Sequence, residues 1–113
     1  MSTTWEKFQG ATLSLARSGS LKDRLADAYR NHLSAVAEEE LPREIREQFH
    51  KVRCSLTRER PQRGEDAIRA TVRKMSSHEA EDIAETVVQM LSVMARSAPS
   101  TRPAVAPLYL LEA

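Results

Sequence analysis

Between Ser76 and Arg96 the chain runs without a glycine or proline, and it carries the apolar side chains Ala80, Ile83, Ala84, Val87, Val88, Met90, Leu91, Val93 and Met94 among others. At about 100° per residue these positions cover well over half the circumference of a helix, wider than the stripe needed to pack on one side only. Ser76 and Glu79 have the spacing of a capping box, which fixes where such a helix starts. A helix apolar on that much of its surface must lie among several others or also meet a second copy of the chain. A central position is the first expectation, since bundles of four to five helices routinely contain one such helix, and a homodimer is the second.

The rest of the chain supplies the neighbours. Low glycine, few β-branched runs and abundant Ala, Leu, Arg and Glu favour helix through most of the sequence. Thr3 and Glu6 form another capping-box pair, and Trp5, Phe8, Thr12, Leu15 and Ala16 share one face before Ser18 and Gly19 stop the helix, giving a first helix over about 4–18. Ser20 and Asp23 open a second, whose stripe of Leu21, Leu25, Ala28, Tyr29, His32 and Val36 runs into Glu38, Glu39 and Glu40. Pro42 suits the first turn of a third, with Leu41 placed to pack on Ile45 and the stripe continued by Phe49, Val52 and Leu56. Arg58 to Glu65, with Pro61 and Gly64, reads as a surface loop. Residues 66–75 fit either period. Ile68, Val72 and Met75 suit a helical face and Ile68, Ala70 and Val72 a strand, and helix is the reading adopted because a lone strand would have no partner.

After Arg96 the composition changes, and Pro99, Pro103 and Pro107 exclude a continued helix. The organisation expected is therefore an all-α, small single-domain helical bundle over 1–96, of four main helices and one short one, followed by a Pro-rich C-terminal tail over 97–113. The tail ends in Leu108, Tyr109, Leu110 and Leu111, apolar enough to fold back on the bundle or to dock on a partner protein. A chain of 113 residues has room for one core and little for a large enclosed cavity.

Several function classes recede on composition. No stretch approaches the roughly 20 apolar residues of a membrane span, and Met1 to Gly10 does not have the continuous apolar run of an export signal. The lone Cys54 cannot form an internal disulfide framework or a four-ligand zinc site and suits a reducing compartment, so the expected location is cytoplasmic. Arg outnumbers Lys 13 to 4 and Ala reaches 15, the bias of GC-rich coding DNA, which points to a bacterial gene. A net charge of +1 argues against a surface built as a whole to attract polyanions.

Charge is nonetheless unevenly placed. Over 51–74, Lys51, Arg53, Arg58, Arg60, Arg63, Arg69, Arg73 and Lys74 face only Glu59, Glu65 and Asp66, a surplus of five positives. Arg58, Arg60, Arg63, Arg69 and Arg73 are the candidate site for nucleic acid or a phosphate ligand, because guanidinium forks match phosphate. Against it, no aromatic among residues 50–75 offers a base a stacking platform, and no glycine-rich phosphate motif is present. The plainer expectation is solvated arginines paired with acids of neighbouring helices, above all Glu79, Glu81, Asp82 and Glu85. A helix-turn-helix drawn over 66–96 fits poorly, since its second helix would begin with His78, Glu79, Glu81 and Asp82, which repel a phosphate backbone.

Three titratable side chains, Glu47, His50 and Cys54, share the side of the third helix opposite its apolar stripe. Without a CxxC or HExxH motif they make no case for a metal, and without an oxyanion-stabilising turn none for a catalytic cysteine, so an exposed polar face is the expectation. His32 falls in the middle of an apolar stripe and is expected half-buried, hydrogen-bonded to a backbone carbonyl or to Tyr29. Trp5 and Phe8 read as core anchors. No cofactor and no enzymatic activity is expected. The functional expectation is a protein–protein interaction or regulatory module acting through a helical surface and its tail, the alternative being polyanion binding through 51–74.

Overall fold

The computed structural model describes residues 3–97, with Ser97 placed by its backbone. Among the described residues the secondary structure is entirely helical: α1 (Thr4–Leu15), α2 (Leu21–Asn31), α3 (Arg43–Leu56), α4 (Ala67–Lys74) and α5 (Ser77–Ser97), with two short 3₁₀ turns, Leu33–Ala35 and Glu38–Glu40, between α2 and α3. The expected all-α bundle of four longer helices and one short one is observed. Residues 66–75, ambiguous between periods, form a helix. The Pro-rich tail, including Leu108, Tyr109, Leu110 and Leu111, lies outside the described residues.

α1, α2, α4 and α5 each start where a side chain satisfies an orphan N–H, whereas α3 starts after Pro42 with no side-chain cap. Thr3 caps α1 as a complete box: its hydroxyl accepts from the Glu6 N–H at 3.1 Å, and the Glu6 carboxylate accepts from the Thr3 N–H at 2.9 Å. Ser20 accepts from Asp23 N–H and Asp66 from Arg69 N–H in the same way. At α5 only half of the expected box forms. Ser76 Oγ accepts from the Glu79 N–H at 3.0 Å, but the Glu79 carboxylate is bound by Arg58, a bidentate cation that outcompetes a single backbone N–H.

Two helices end sooner than their patterns suggest. The first stops at Leu15 rather than 18, and Arg24 binds the released carbonyls of Leu15 and Gly19 at 2.6 and 3.1 Å. Gly19 has φ 110°, a left-handed conformation that glycine adopts without Cβ strain. The second stops at Asn31. Past that point the chain passes into the two 3₁₀ turns, and Leu33 in the first and Val36 just after it are both buried.

The interior is one continuous cluster. Phe8 and Phe49, both fully buried, meet with ring centroids 5.8 Å apart and planes tilted by 55°, an arrangement favoured by the ring quadrupoles and worth about 0.5–1.5 kcal/mol beyond burial. Trp5 packs against the cluster from its edge. α5 packs on α1, α2 and α3, so the central position expected for it is observed. Its buried residues, Ala80, Ile83, Val87, Met90 and Met94, alternate three and four apart, a single seam toward the other helices. α4 packs on α2 and α3. Among the described residues no helix is long and apolar enough to cross a membrane.

Candidate functional site

Most of the basic segment is spent on ion pairs. Arg58 forks onto Glu79 of α5, Arg69 donates to Asp23 of α2 at 2.6 Å, and Arg73 binds Glu65 at 2.9 Å. Lys74 approaches Glu59 at 3.5 Å, and Arg53 binds Glu38 at 3.1 Å. Of the acids expected as partners only Glu79 serves. Of the others used, Glu38 comes from the second 3₁₀ turn, and Asp23, Glu59 and Glu65 come within reach because α4 packs on α2 and Glu59 of the 57–66 loop donates its N–H to Thr71 of α4. The hydrogen bonds have electrostatic consequences. Arg69 holds the Asp23 carboxyl below its ordinary range, Arg73 does the same to Glu65, and Arg58 to Glu79; Glu79 and Glu65 in turn raise Arg58 and Arg73. Arg60 and Arg63, the remaining two candidate arginines, stand exposed on the loop with no ion pair among the described residues.

A second pairing closes the bundle. Arg30 of α2 binds Asp66, the α4 cap, through Nε at 2.7 Å and Nη2 at 2.9 Å. With that fork and the Arg69 N–H, the Asp66 carboxyl is lowered to about 2.

The broad apolar face of α5 is not wholly consumed by the seam. Beside the seam a second line, Ala84, Val88 and Leu91, runs along the helix, and Val88 keeps 42% of its surface exposed. Leu15 at the end of α1 and Leu21 at the start of α2 face it across an open furrow of about 480 Å³, completed by Glu85 and Gln89. Glu81, one turn before Glu85, is exposed as well, so the rim on the α5 side is acidic. A smaller furrow of about 210 Å³ lies between α3 and α5, lined by Lys51, Val52, Glu79 and Ile83 among others. Among the described residues Leu13, on α1, is the other large apolar side chain left exposed.

His50 does not turn to Glu47. Its Nδ1 lies 3.0 Å from Oε2 of Glu38, on the second 3₁₀ turn, and its Nε2 lies 3.5 Å from the Cys54 sulfur. Glu38 is fixed in turn by Arg53, which also donates to the Tyr29 hydroxyl at 3.2 Å and the Val36 carbonyl at 2.7 Å and rests over the Phe49 ring, 4.9 Å from its centroid. The i, i+4 spacing of His50 and Cys54 was visible in the sequence. Glu38 was not, because twelve residues and a change of helix type separate it from His50. Among the described residues no group of three or more His, Cys, Asp or Glu is arranged to hold a metal ion.

His32 is half-buried as expected, but its ring makes no hydrogen bond to Tyr29, whose hydroxyl accepts from Arg53. The ring instead lies flat against Gly10 of α1, so close that a Cβ added there would sit 2.6 Å from Nδ1.

The chain matches no protein-family model, no curated protein and no solved structure at a significant level.

Proposed function

We propose that this chain is a non-enzymatic interaction module that receives an amphipathic helix of another protein in the furrow framed by Leu15, Leu21, Ala84 and Val88. The observation that carries the proposal is the apolar line on α5 left open beside a complete core seam, with Val88 at its centre. Helix-in-groove recognition uses apolar side chains at i, i+3 or i+4 and i+7 set into such a channel. The rim selects the partner's charge. Glu81 and Glu85 favour a helix carrying Lys or Arg beside its apolar stripe. A second copy of α5 fits less well, since its own exposed first turns are acidic. The tail segment 104–111 fits less well too, because it carries no charge at all. The single free thiol suits action in the cytoplasm.

The test is a photo-crosslinking amino acid at position 88 in the cells that carry the gene, with position 47 on the far side as control. The expected adduct is a basic amphipathic segment of another protein, reduced by Glu85→Lys. An adduct only with a second copy, only with residues 104–111 of the same chain, or none above the control, would overturn the assignment.

A second reading, polyanion binding, is supported by Arg60 and Arg63, which have no carboxylate partner among the described residues. An anion on the other three would have to displace Glu79, Asp23 and Glu65. Retention on DNA or RNA at low salt that falls steeply with added salt and with Arg60→Ala/Arg63→Ala supports it; unchanged retention of the double variant removes it.

A further inference from the structure

Cys54, His50 and Glu38 form a nucleophile, a base and a group that orients the base, contributed by two separate elements. The order of their atoms matters. A neutral imidazole that donates Nδ1–H to a carboxylate carries its lone pair on Nε2, and here Nε2 is the atom facing the sulfur. The carboxylate is itself immobilised: the Arg53 guanidinium that binds it is fastened to Tyr29, to the Val36 carbonyl and to the face of the buried Phe49. Four side chains thus link the core to the thiol in one direction, and the thiol at the end of the chain is exposed. The i, i+4 spacing on α3 brings His50 to Cys54, but the clamped acid comes from a separate 3₁₀ turn. A surface cysteine that merely fills a polar position has no need of a base aimed at it by a clamped acid.

We propose that Cys54 is an activated thiol and the site of reversible modification by small disulfides. The chemistry suits the setting. Acyl transfer builds charge on an oxygen that must be received by aligned donors, whereas thiol–disulfide exchange needs in-line access to sulfur and spreads its charge over three sulfur atoms, which an open helix surface permits. The thiol proton passes to His50 Nε2, giving a thiolate beside an imidazolium that is paired with Glu38 through Nδ1–H. The thiolate attacks one sulfur of the disulfide, the new S–S bond forms as the old one breaks, and the departing thiolate leaves as a thiol with the proton returned by His50. The incoming disulfide is the only oxidant required, and its released half is the reduced product. Glu38 is the charged group in contact with His50, and Arg53 acts on the pair through Glu38; Glu47 and Lys51 stand about one turn away on α3.

The test uses the full chain and a neutral probe, dipyridyl disulfide, with release of thiopyridone followed by absorbance. The native protein is expected to react about tenfold faster than His50→Gln near pH 7, with Glu38→Gln between them, and the difference is expected to vanish near pH 10, where any thiol is ionised without assistance. Circular dichroism of both variants should match that of the native chain, since the His50 side chain is exposed and glutamine at the half-buried position 38 keeps an oxygen acceptor for Arg53. Equal rates for the native protein and His50→Gln at pH 7 would overturn the proposal. A rate ratio that persists unchanged at pH 10 would also overturn it, because it would mean that His50 governs access to the sulfur and not its proton.

Discussion

Asp66 shows how much one side chain can be asked to do in a chain this short. It caps α4, binds Arg30 across to α2, and is lowered to about 2. An unfolded Asp titrates near 3.9. The folded value is the lower one, so the stabilisation is complete above about pH 4 and is lost as pH falls through about 2. Asp66→Asn keeps the cap and loses the ion pair, and should flatten the acid limb of a stability-against-pH curve between those limits. At 46% exposure the pair itself contributes no more than about 1 kcal/mol. Asp66→Ala removes the cap as well, for about 1 kcal/mol further. Urea titrations at pH 7 and pH 3 separate the two. Gly10 gives a second prediction at this scale. Alanine in mid-helix is favoured over glycine by about 1 kcal/mol, but its Cβ would meet the His32 ring. Gly10→Ala should therefore destabilise by about 1 kcal/mol alone and stabilise in a His32→Ala background, a reversal of sign that a double-mutant cycle would read.

At the scale of elements, α5 carries two positions, one residue between them, with opposite roles. Met90 is fully buried in the seam, and Met90→Ala should cost about 2–5 kcal/mol. Val88 faces the furrow, and Val88→Ala should change stability by less than about 0.5 kcal/mol. Denaturant unfolding of the two variants checks whether the exposed line is a surface or part of the core. The elements themselves were largely legible. Caps at Thr3, Ser20 and Ser76 and the stripes of α1, α3 and α5 report local chemistry, and local chemistry is what a sequence displays. The end of α2 was not legible, because Val36 continues the 3.6-residue pattern on paper while the chain reaches the same interior by a 3₁₀ turn. The partners of the arginines were half legible for a related reason: charge surplus can be counted along the chain, but which acid lies within 3 Å depends on how α4 leans on α2. The relay to Cys54 needed that tertiary information most, since Glu38 joins it only after the two 3₁₀ turns have folded the acidic run back over α3.

For the molecule as a whole, a single cluster joins every helix except through the loop of 57–66, and the contact between Phe8 and Phe49 ties α1 to α3 at its centre. Residues 3–97 should unfold as one unit. Phe49→Ala should remove about 3–5 kcal/mol and lower the far-UV and tryptophan signals in step at every denaturant concentration; transitions that separate would show two independently stable parts. Helical bundles built from near neighbours in sequence refold in microseconds to milliseconds, and temperature-jump relaxation on Trp5 fluorescence would measure it.

Arg53 joins these scales. The same guanidinium covers an interior aromatic ring, anchors a carboxylate, and through it steadies an imidazole beside sulfur. Loosening of the hydrophobic centre would be felt at the surface before any helix melted, so the speed of labelling at position 54 would serve as a gauge of how firmly the interior is shut.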